Sequence, residues 1–449
     1  MSTERPGDDE LPPDPFPGDP FAGQGDVAGP TGAPAPAASP SSDDDPLAVL
    51  RNLGLGDLGN LGATAGLGGL GALGGMFGEV LRMAASQGPL NWDAARQVAI
   101  WTAAGGQVET ALDPIERIRL EELCRIAEPH VNEATGLVVS VRGVTVVTHT
   151  RATWAAQALQ DHRPLFEKLA VSMANPGSSS VPGNPSDPFA VLSQLLGPMM
   201  LSLQVGSLVG QLAQTSLATY DLPIPRPSGD MIGFVPVNIE AFAAEWTIPL
   251  ETARMHVCLA ELAVHAVFGI AHVRLHLSAM LAEYAGAYRF DPSQLAEQLG
   301  GLGGFDPSDP SSVERMFANP RELLGAIESP EQRAIRARIN MLVATIVGYV
   351  EHVVAVTGAR LLGDNRMVME AWKRRRIESG EGERLAGEML GLSLDQEQYD
   401  LGVAFIGGVI QRAGSDTLPE LWSDPDHLPT RNELEAPGLW LARLGLDGQ

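Results

Sequence analysis

Apolar residues recur at helical spacing along most of the chain beyond residue 86. One such stretch covers residues 91–101 and begins at an asparagine, a good N-cap. A second covers 114–128, where we expect Pro129 to end the helix because proline has no amide hydrogen to donate. A third runs over 150–173, with an interruption expected at Pro164. The pattern predicts a mainly helical fold.

Strand-like patterns are few and short. Runs of β-branched residues at 137–141 and 144–148 flank Arg142 and Gly143, which predicts a small hairpin or an extended connection. Residues 231–237 form a further predicted strand. The predicted class is therefore mainly α, or α+β with minor strands.

Residues 189–220 carry no charge. Their length would suffice for a membrane helix, and Gly206 and Gly210 have the spacing that favours close helix packing. Pro198 divides the run, however, and glutamines recur along it, so we expect a buried pair of helices and no stable membrane insertion. Further predicted helices cover 250–276, if that segment is continuous, and 291–300, 311–328, 330–357, 365–378 and 395–413.

Composition divides the chain into four parts. Residues 1–46 are acidic and rich in proline, which predicts disorder because little apolar surface is available for burial. Glycine and leucine dominate 47–85, which we interpret as a linker. The helical domain is expected over 86–435, followed by a C-terminal tail at 436–449.

Charge and cysteine content limit the partners and the compartment. The formal net charge is −25, so the chain repels phosphate backbones and we expect no nucleic-acid partner. The two cysteines, Cys124 and Cys258, lie far apart in the sequence, which argues against a disulfide framework. The acidic first residues do not resemble a signal peptide. These features predict a cytoplasmic protein.

A cluster of titratable residues stands out after Pro249. In one continuous helix, Glu261, His265, His272 and His276 would share one stripe. His265 and His272 would be about 10 Å apart along the axis, too far to share a metal. The pairs Glu261–His265 and His272–His276 could each supply two ligands, with Glu351 and His352 as remote candidates for a third. Alternatively, these histidines only line the boundary of the core.

Several sequence segments together carry a resemblance to a known family. They are Gly88–Arg96, Asn132–Leu137, Tyr220–Pro225, Phe234–Asn238 and Leu421–Thr430. On these segments the chain resembles a family of bacterial, largely actinobacterial, zincin-like metallopeptidases, often labelled "putative hydrolase". The resemblance extends over nearly everything after the linker and implies a multi-helical zincin-like domain.

The resemblance also implies roles for residues of the helix after Phe234–Asn238, which carries an H-E-x-x-H-like motif in that family. In such a motif two histidines bind zinc and the glutamate activates water. The matching frame places Glu261 at the general-base position, with Ala260 and Val264 at the two ligand positions. His265 is displaced by one residue, about 100° around the helix. Alkyl side chains cannot bind zinc.

Two functions follow from these observations. The degenerate motif favours a non-catalytic scaffold that binds a peptide or protein partner and needs no cofactor. The alternative is a zinc-dependent metallopeptidase in which Glu261 is the general base. Its zinc would need a rearranged set of ligands, drawn from His265, His272, His276 and Glu351.

Overall fold

The structure is a computed structural model that describes residues 90–174, 188–288, 329–378, 380–392 and 395–446. The side chains of 174, 188–200, 381, 383 and 388 are not part of this description. The predicted tail at 1–46, the predicted linker at 47–85 and the predicted helices at 291–300 and 311–328 lie outside the described residues.

Helices dominate the described part of the chain, which contains fifteen α-helices and two short strands. The predicted class is therefore confirmed. In chain order the elements are α1 (Trp92–Ala103), α2 (Pro114–Thr135), β1 (Thr145–Thr148), α3 (Arg151–Asp161), α4 (Arg163–Ala174), α5 (Pro188–Thr215), β2 (Met231–Phe234), α6 (Pro236–Glu245), α7 (Leu250–Gly269), α8 (Ala271–Gly286), α9 (Pro330–Leu362), α10 (Arg366–Ile377), α11 (Glu381–Leu390), α12 (Gln396–Ala413), α13 (Glu420–Ser423), α14 (Arg431–Glu435) and α15 (Pro437–Leu444).

Helix α7 lies at the centre of the molecule. Every residue from Ala253 to Phe268 is buried, because α2, α6, α8 and α9 surround the helix. A helix that is buried on all sides has no solvated face for polar groups. Any polar side chain on α7 therefore needs a partner from a neighbouring element.

The chain turns by 90° between α7 and α8. Ile270 adopts an extended conformation there, and Arg274 Nη1 donates a hydrogen bond of 2.7 Å to the carbonyl of Phe268 at the end of α7. The segment 250–276 is therefore not one continuous helix, and the condition for a single stripe of Glu261, His265, His272 and His276 is not met. Residues after the turn lie on a different axis from those of α7.

The strands form a two-stranded parallel sheet. Thr145 pairs with Met231 and Thr148 with Phe234, whereas 137–141 contains no strand. The predicted hairpin is therefore wrong, because β1 finds its partner far along the chain. On the other side of β2, Ala218 forms an antiparallel bridge with Phe234. This bridge places the residues after α5 beside the sheet.

Two prolines do not end their helices. Pro129 lies inside α2, which continues to Thr135 and ends at Gly136 in the left-handed conformation, with φ 66°. Pro198 lies inside α5, which is one helix and not the expected pair. A proline inside a helix costs about 3 kcal/mol, which tertiary packing can offset. The interruption expected near Pro164 is confirmed, since α3 ends at Asp161.

Two further features complete the fold. Trp440 of α15 is buried, so the segment assigned to a C-terminal tail includes a packed helix. Both cysteines are free and buried. Among the described helices, α9 is by itself long and apolar enough to cross a membrane, and 78% of its apolar window is buried inside the protein; α7 and α8 reach the same length and hydropathy only as a pair bent by 90°.

Candidate functional site

Glu261 of α7 binds the backbone of the segment that follows α5. Its side chain is buried, with 3% of its surface exposed. The Thr219 amide donates to Glu261 Oε1 at 3.1 Å, and the Tyr220 amide donates to Oε2 at 3.0 Å. We call these two hydrogen bonds the glutamate clamp. They use both carboxyl oxygens of Glu261 to hold the chain beside β2.

The environment of Glu261 favours its neutral form. Burial raises the pKa of this carboxyl to about 8, although the Tyr220 amide and the charge of Arg226 act in the opposite direction. At pH 7 the group is therefore mostly protonated. A protonated carboxyl can still accept hydrogen bonds, but it cannot take a proton from water.

The neighbours of Glu261 on α7 differ in chemistry. Ala260 and Val264 are each 4% exposed and have no atom that can bind a metal. His265 is turned towards the segment after α5, where its Nδ1 lies 3.4 Å from the hydroxyl of Tyr220. Burial lowers the pKa of His265. His265 is therefore a neutral partner of a buried tyrosine.

The other predicted metal ligands lie elsewhere. His272 and His276 are on α8, beyond the 90° turn, and His276 is exposed. Glu351 of α9 is buried near Trp372 and Tyr399. The structure thus does not bring these residues together with His265.

A recess opens on the other side of the clamped segment. It lies between α3, α4, α5 and residues 219–226 and is open to solvent; about 40 Å³ of it is accessible to the centre of a water-sized sphere. Most of its lining is apolar, which is typical of small-molecule and side-chain sites. The lining residues are His149, Trp154, Gln157, Ala158, Asp161, His162, Phe166, Leu208, Val209, Leu212, Thr219, Leu222, Ile224, Arg226 and Leu390.

An ion pair occupies one wall of this recess. Arg226 Nε donates to Asp161 Oδ2 at 2.6 Å, and a second guanidinium nitrogen contacts the same oxygen. Gln157 donates to Asp161 Oδ1 at 2.9 Å. The two charged side chains are 9% and 11% exposed. The charge of Arg226 is therefore neutralised by a carboxylate that is itself fully hydrogen-bonded.

Two histidines also line the recess. Burial lowers the pKa of His149 and lowers that of His162 to about 4, so both rings are neutral at pH 7. A Cβ at Gly233 would lie 2.8 Å from His149 Nε2. A side chain at position 233 would therefore displace this ring.

The recess and the glutamate clamp share one wall. Thr219 lines the recess, and its amide is one of the two donors to Glu261. Trp154 Nε1 donates to the carbonyl of Ala218 at 3.1 Å, which fixes the same segment from the recess side. The two features thus form one candidate site.

Comparison with known proteins defines the family. The model of the zincin-like metallopeptidase family matches residues 90–441. The chain belongs to this family. The fold is similar to the crystal structure of a "putative hydrolase with a novel fold" from Chloroflexus aurantiacus, with a TM-score of 0.57, 22% identity, and coverage of 80% of this chain and 100% of that chain. Among curated proteins, no significant match was found.

Zincin-like metallopeptidases take their name from a zinc site, so we asked whether this chain could form one. The two positions that flank Glu261 in an H-E-x-x-H frame are Ala260 and Val264, which offer only carbon atoms. Both oxygens of Glu261 are engaged by backbone amides. In the described part of the chain, no group of three or more His, Cys, Asp or Glu side chains is placed to hold a metal. The residues present do not fit zinc.

Sequence reasoning found one half of this site and missed the other. Glu261 and His265 stand out by spacing on one helix. The recess residues Asp161, His162 and Arg226 come from segments that only the tertiary fold unites. The one local signal, for Asp161 and His162, is a cluster of polar residues at the break between α3 and α4.

Proposed function

We propose that this chain is a non-catalytic member of the zincin-like metallopeptidase family and that it binds a peptide or protein partner. In this proposal Glu261 has a structural role. It holds the wall of a binding recess and does not activate water.

The glutamate clamp is the observation that carries this proposal. A general base must face the reacting water, which in a metallopeptidase is held by the metal. Here the carboxyl of Glu261 faces the backbone amides of Thr219 and Tyr220, and the two ligand positions of the frame, Ala260 and Val264, offer no atom to a metal. The raised pKa of this carboxyl also argues against a general base, because most molecules carry a proton on it at pH 7.

Binding is the function that the remaining geometry supports. The recess is concave and mainly apolar, and its ion pair between Asp161 and Arg226 is closed. Residues 216–221 are fixed from several sides, for example by Asn238 Nδ2, which donates to the Ser216 carbonyl at 2.6 Å, and by Arg375, which pairs with Asp221 at 2.9 Å. A preformed site of this kind loses little entropy on binding.

A second candidate is a zinc-dependent metallopeptidase with Glu261 as general base. Family membership favours it, and the similar structure from Chloroflexus is described as a hydrolase of uncertain assignment. This function would require that the segment around Tyr220 leave Glu261 and that ligands approach from other elements.

Metal analysis of the purified full-length protein distinguishes the two. The protein is incubated with excess zinc, desalted and measured by elemental mass spectrometry, and its thermal unfolding is recorded with and without EDTA. We expect far less than one zinc per chain and the same melting temperature in both conditions, because a ligand that binds the folded state would shift that temperature.

The opposite result would overturn the proposal. One tightly bound zinc per chain, lost in Glu261→Gln or His265→Ala and accompanied by hydrolysis of a denatured protein substrate, would establish the metallopeptidase. The matched control is Glu245→Gln, since Glu245 is an exposed carboxylate outside α7.

A further inference from the structure

The two cysteines of the chain meet inside the protein. Cys124 lies on α2 and Cys258 on α7, far apart in the sequence, and their two thiols are hydrogen-bonded to each other. We propose that this pair is a site of reversible oxidation, at which hydrogen peroxide converts the two thiols into a disulfide that links α2 to α7. The inference goes beyond the proposed binding function and does not depend on it.

The packing of α2 against α7 holds the two sulfur atoms together. A fully buried stripe at helical spacing runs along α2 and consists of Leu120, Cys124, Ala127 and Val131. On α7, Arg254 lies one turn before Cys258 and forms an ion pair with Glu116 of α2. The ion pair and the thiol contact thus join the same two helices, and both cysteines belong to the regular part of a helix.

Only one helix separates the thiol pair from solvent. Both cysteines are fully buried, whereas Glu121, Glu122 and Arg125 on the outer face of α2 are exposed. A small oxidant therefore reaches the thiols when α2 opens locally, without unfolding of the core. Burial and the hydrogen bond to Cys124 raise the pKa of the Cys258 thiol. Because the thiolate is the reactive form, we expect oxidation to follow this opening.

The reaction takes place in two steps. The thiolate of one cysteine attacks an oxygen of hydrogen peroxide, the O–O bond breaks, and a sulfenic acid and one water are formed. The second thiol then attacks the sulfenic sulfur, the S–O bond breaks, and an S–S bond forms as a second water leaves. The two sulfurs lose two electrons, the peroxide gains them, and the two thiol protons end in the waters. An external dithiol reverses the product by thiol–disulfide exchange.

The disulfide would constrain the unfolded chain more than the folded one. Closing a loop of more than about 100 residues removes much of the conformational entropy of the unfolded chain, so the oxidised protein should unfold at a higher temperature. Glu261 lies one turn beyond Cys258 on α7. The link therefore also fixes the helix that supplies the glutamate clamp.

Peptide mapping of the full-length protein detects the link directly. Reduced protein is treated with hydrogen peroxide, quenched with catalase, alkylated in concentrated urea and digested with trypsin in the absence of reductant. Cleavage after arginine places Cys124 in peptide 120–125 and Cys258 in peptide 255–274. We expect these two peptides to be joined in most chains, with a loss of about 2 Da for the two thiol hydrogens, and to separate when dithiothreitol is added.

Thermal unfolding measures the effect of the link on stability. We expect the oxidised protein to melt at least about 5 °C above the reduced protein. The matched controls are Cys124→Ala and Cys258→Ala, which should neither form the joined peptides nor melt at a higher temperature after peroxide treatment.

Peroxide treatment of the unfolded wild-type chain tests whether the fold brings the sulfurs together. In concentrated urea the two cysteines are the ends of a long flexible loop, so we expect the yield of joined peptides to fall by at least about tenfold.

Four results would overturn the inference. They are two free thiols after prolonged treatment of the folded protein, a sulfinic acid on one cysteine beside a free thiol on the other, disulfides between separate chains, and a melting temperature that does not rise on oxidation. All four are measured on the wild-type protein, so they hold even if an alanine variant fails to fold. None involves zinc or a peptide, so they leave the proposed function untouched.

Discussion

Glu261 is a carboxyl group that the fold withdraws from water and supplies with two backbone donors. Such an arrangement is stable only while the donors stay in place, since a buried amide without an acceptor costs about 1–3 kcal/mol. The group therefore links the position of residues 219–220 to the stability of the core.

The glutamate clamp predicts the effect of an amide replacement. In Glu261→Gln the new NH₂ group faces a backbone N–H and cannot accept a hydrogen bond from it. We therefore expect the free energy of unfolding to fall by about 1–3 kcal/mol at pH 7. Urea denaturation followed by circular dichroism measures this value. Exposed Glu245→Gln should be neutral.

The same variant tests the protonation of Glu261. Because the pKa of Glu261 is raised from 4.5 to about 8 in the folded chain, its carboxyl keeps a proton between these two pH values. In the unfolded chain the carboxyl has already released it. The contribution of this group to stability is therefore complete below pH 4.5 and declines as the pH rises to 8. The stability difference between wild type and Glu261→Gln should shrink between pH 6 and pH 8. A difference that does not depend on pH would contradict the raised pKa.

His256 of α7 is a buried group of the opposite kind. Its ring packs edge-to-face on Trp372 with centroids 4.8 Å apart, and neither nitrogen has a hydrogen-bond partner among the described residues. Burial lowers its pKa to about 3. Below about pH 6.5 the imidazole of His256 takes up a proton in the unfolded chain but not in the folded one. This residue therefore destabilises the fold as the pH falls.

Replacement of His256 by an apolar ring should therefore stabilise the protein. We expect His256→Phe to raise the free energy of unfolding by about 1–3 kcal/mol at pH 7, because two buried nitrogens without partners are removed. The gain should increase by about 2 kcal/mol at pH 5. The comparison variant is His130→Phe on the half-buried surface of α2. A gain that is the same at both pH values would contradict the lowered pKa.

At the scale of elements, α9 and α12 cross at a very short distance. A Cβ at Gly402 would fall against the backbone carbonyl of Ala344, and one at Gly348 would fall against the backbone of Gly402. Two glycines thus allow the backbones of α9 and α12 to touch.

A pair of glycines on α12 tests this crossing. Gly402→Ala should lower the free energy of unfolding by about 3 kcal/mol, since backbone cannot move aside for the added methyl group. Gly407 lies on the same helix with open space around it, so Gly407→Ala should stabilise by up to about 1 kcal/mol through helix propensity. Equal effects of the two changes, measured by chemical denaturation, would show that the crossing is looser than described.

Local rules predicted these elements only in part. The N-cap at Asn91 is confirmed, because its side chain accepts from the Ala94 amide at 3.0 Å. Pro129 and Pro198 were misinterpreted because packing outweighs the loss of one hydrogen bond. The turn at Ile270 follows Gly269, and glycine is a common residue at helix C-termini. The local sequence thus determines where a helix forms in this chain, whereas packing against neighbouring elements determines where it ends.

At the scale of the whole molecule, the chain continues to pack near its C-terminus. Trp440 is fully buried, its ring lies 5.9 Å from that of Phe405, and its Nε1 donates to the carbonyl of His427 at 2.7 Å. Helix α15 is therefore part of the same core as α12. The family match also extends into α15, as far as residue 441.

Loss of this contact should affect the entire fold. We expect Trp440→Ala to lower the free energy of unfolding by about 3–5 kcal/mol, as truncation of a buried tryptophan does elsewhere. Leu439 is 53% exposed, so Leu439→Ala should change it by no more than about 0.5 kcal/mol. Differential scanning calorimetry should show one transition that shifts as a unit in the tryptophan variant.

A sequence pattern predicts only part of the candidate site. Glu261 was found by its frame on α7, and the absence of ligands at Ala260 and Val264 was visible at once. Arg226 and Asp161 are 65 residues apart, and no periodicity connects them. Their contact depends on the parallel pairing of β1 and β2, which no short-range rule specifies.

That pairing has a consequence for synthesis on the ribosome. Strand β1 leaves the exit tunnel about 80 residues before β2, which at about 5–20 residues per second is an interval of about 4–16 s. During this time Val146, buried in the finished protein, has no β2 to cover it. The nascent chain therefore offers an unpaired strand edge to chaperones, and a pause in translation before Met231 would prolong that exposure.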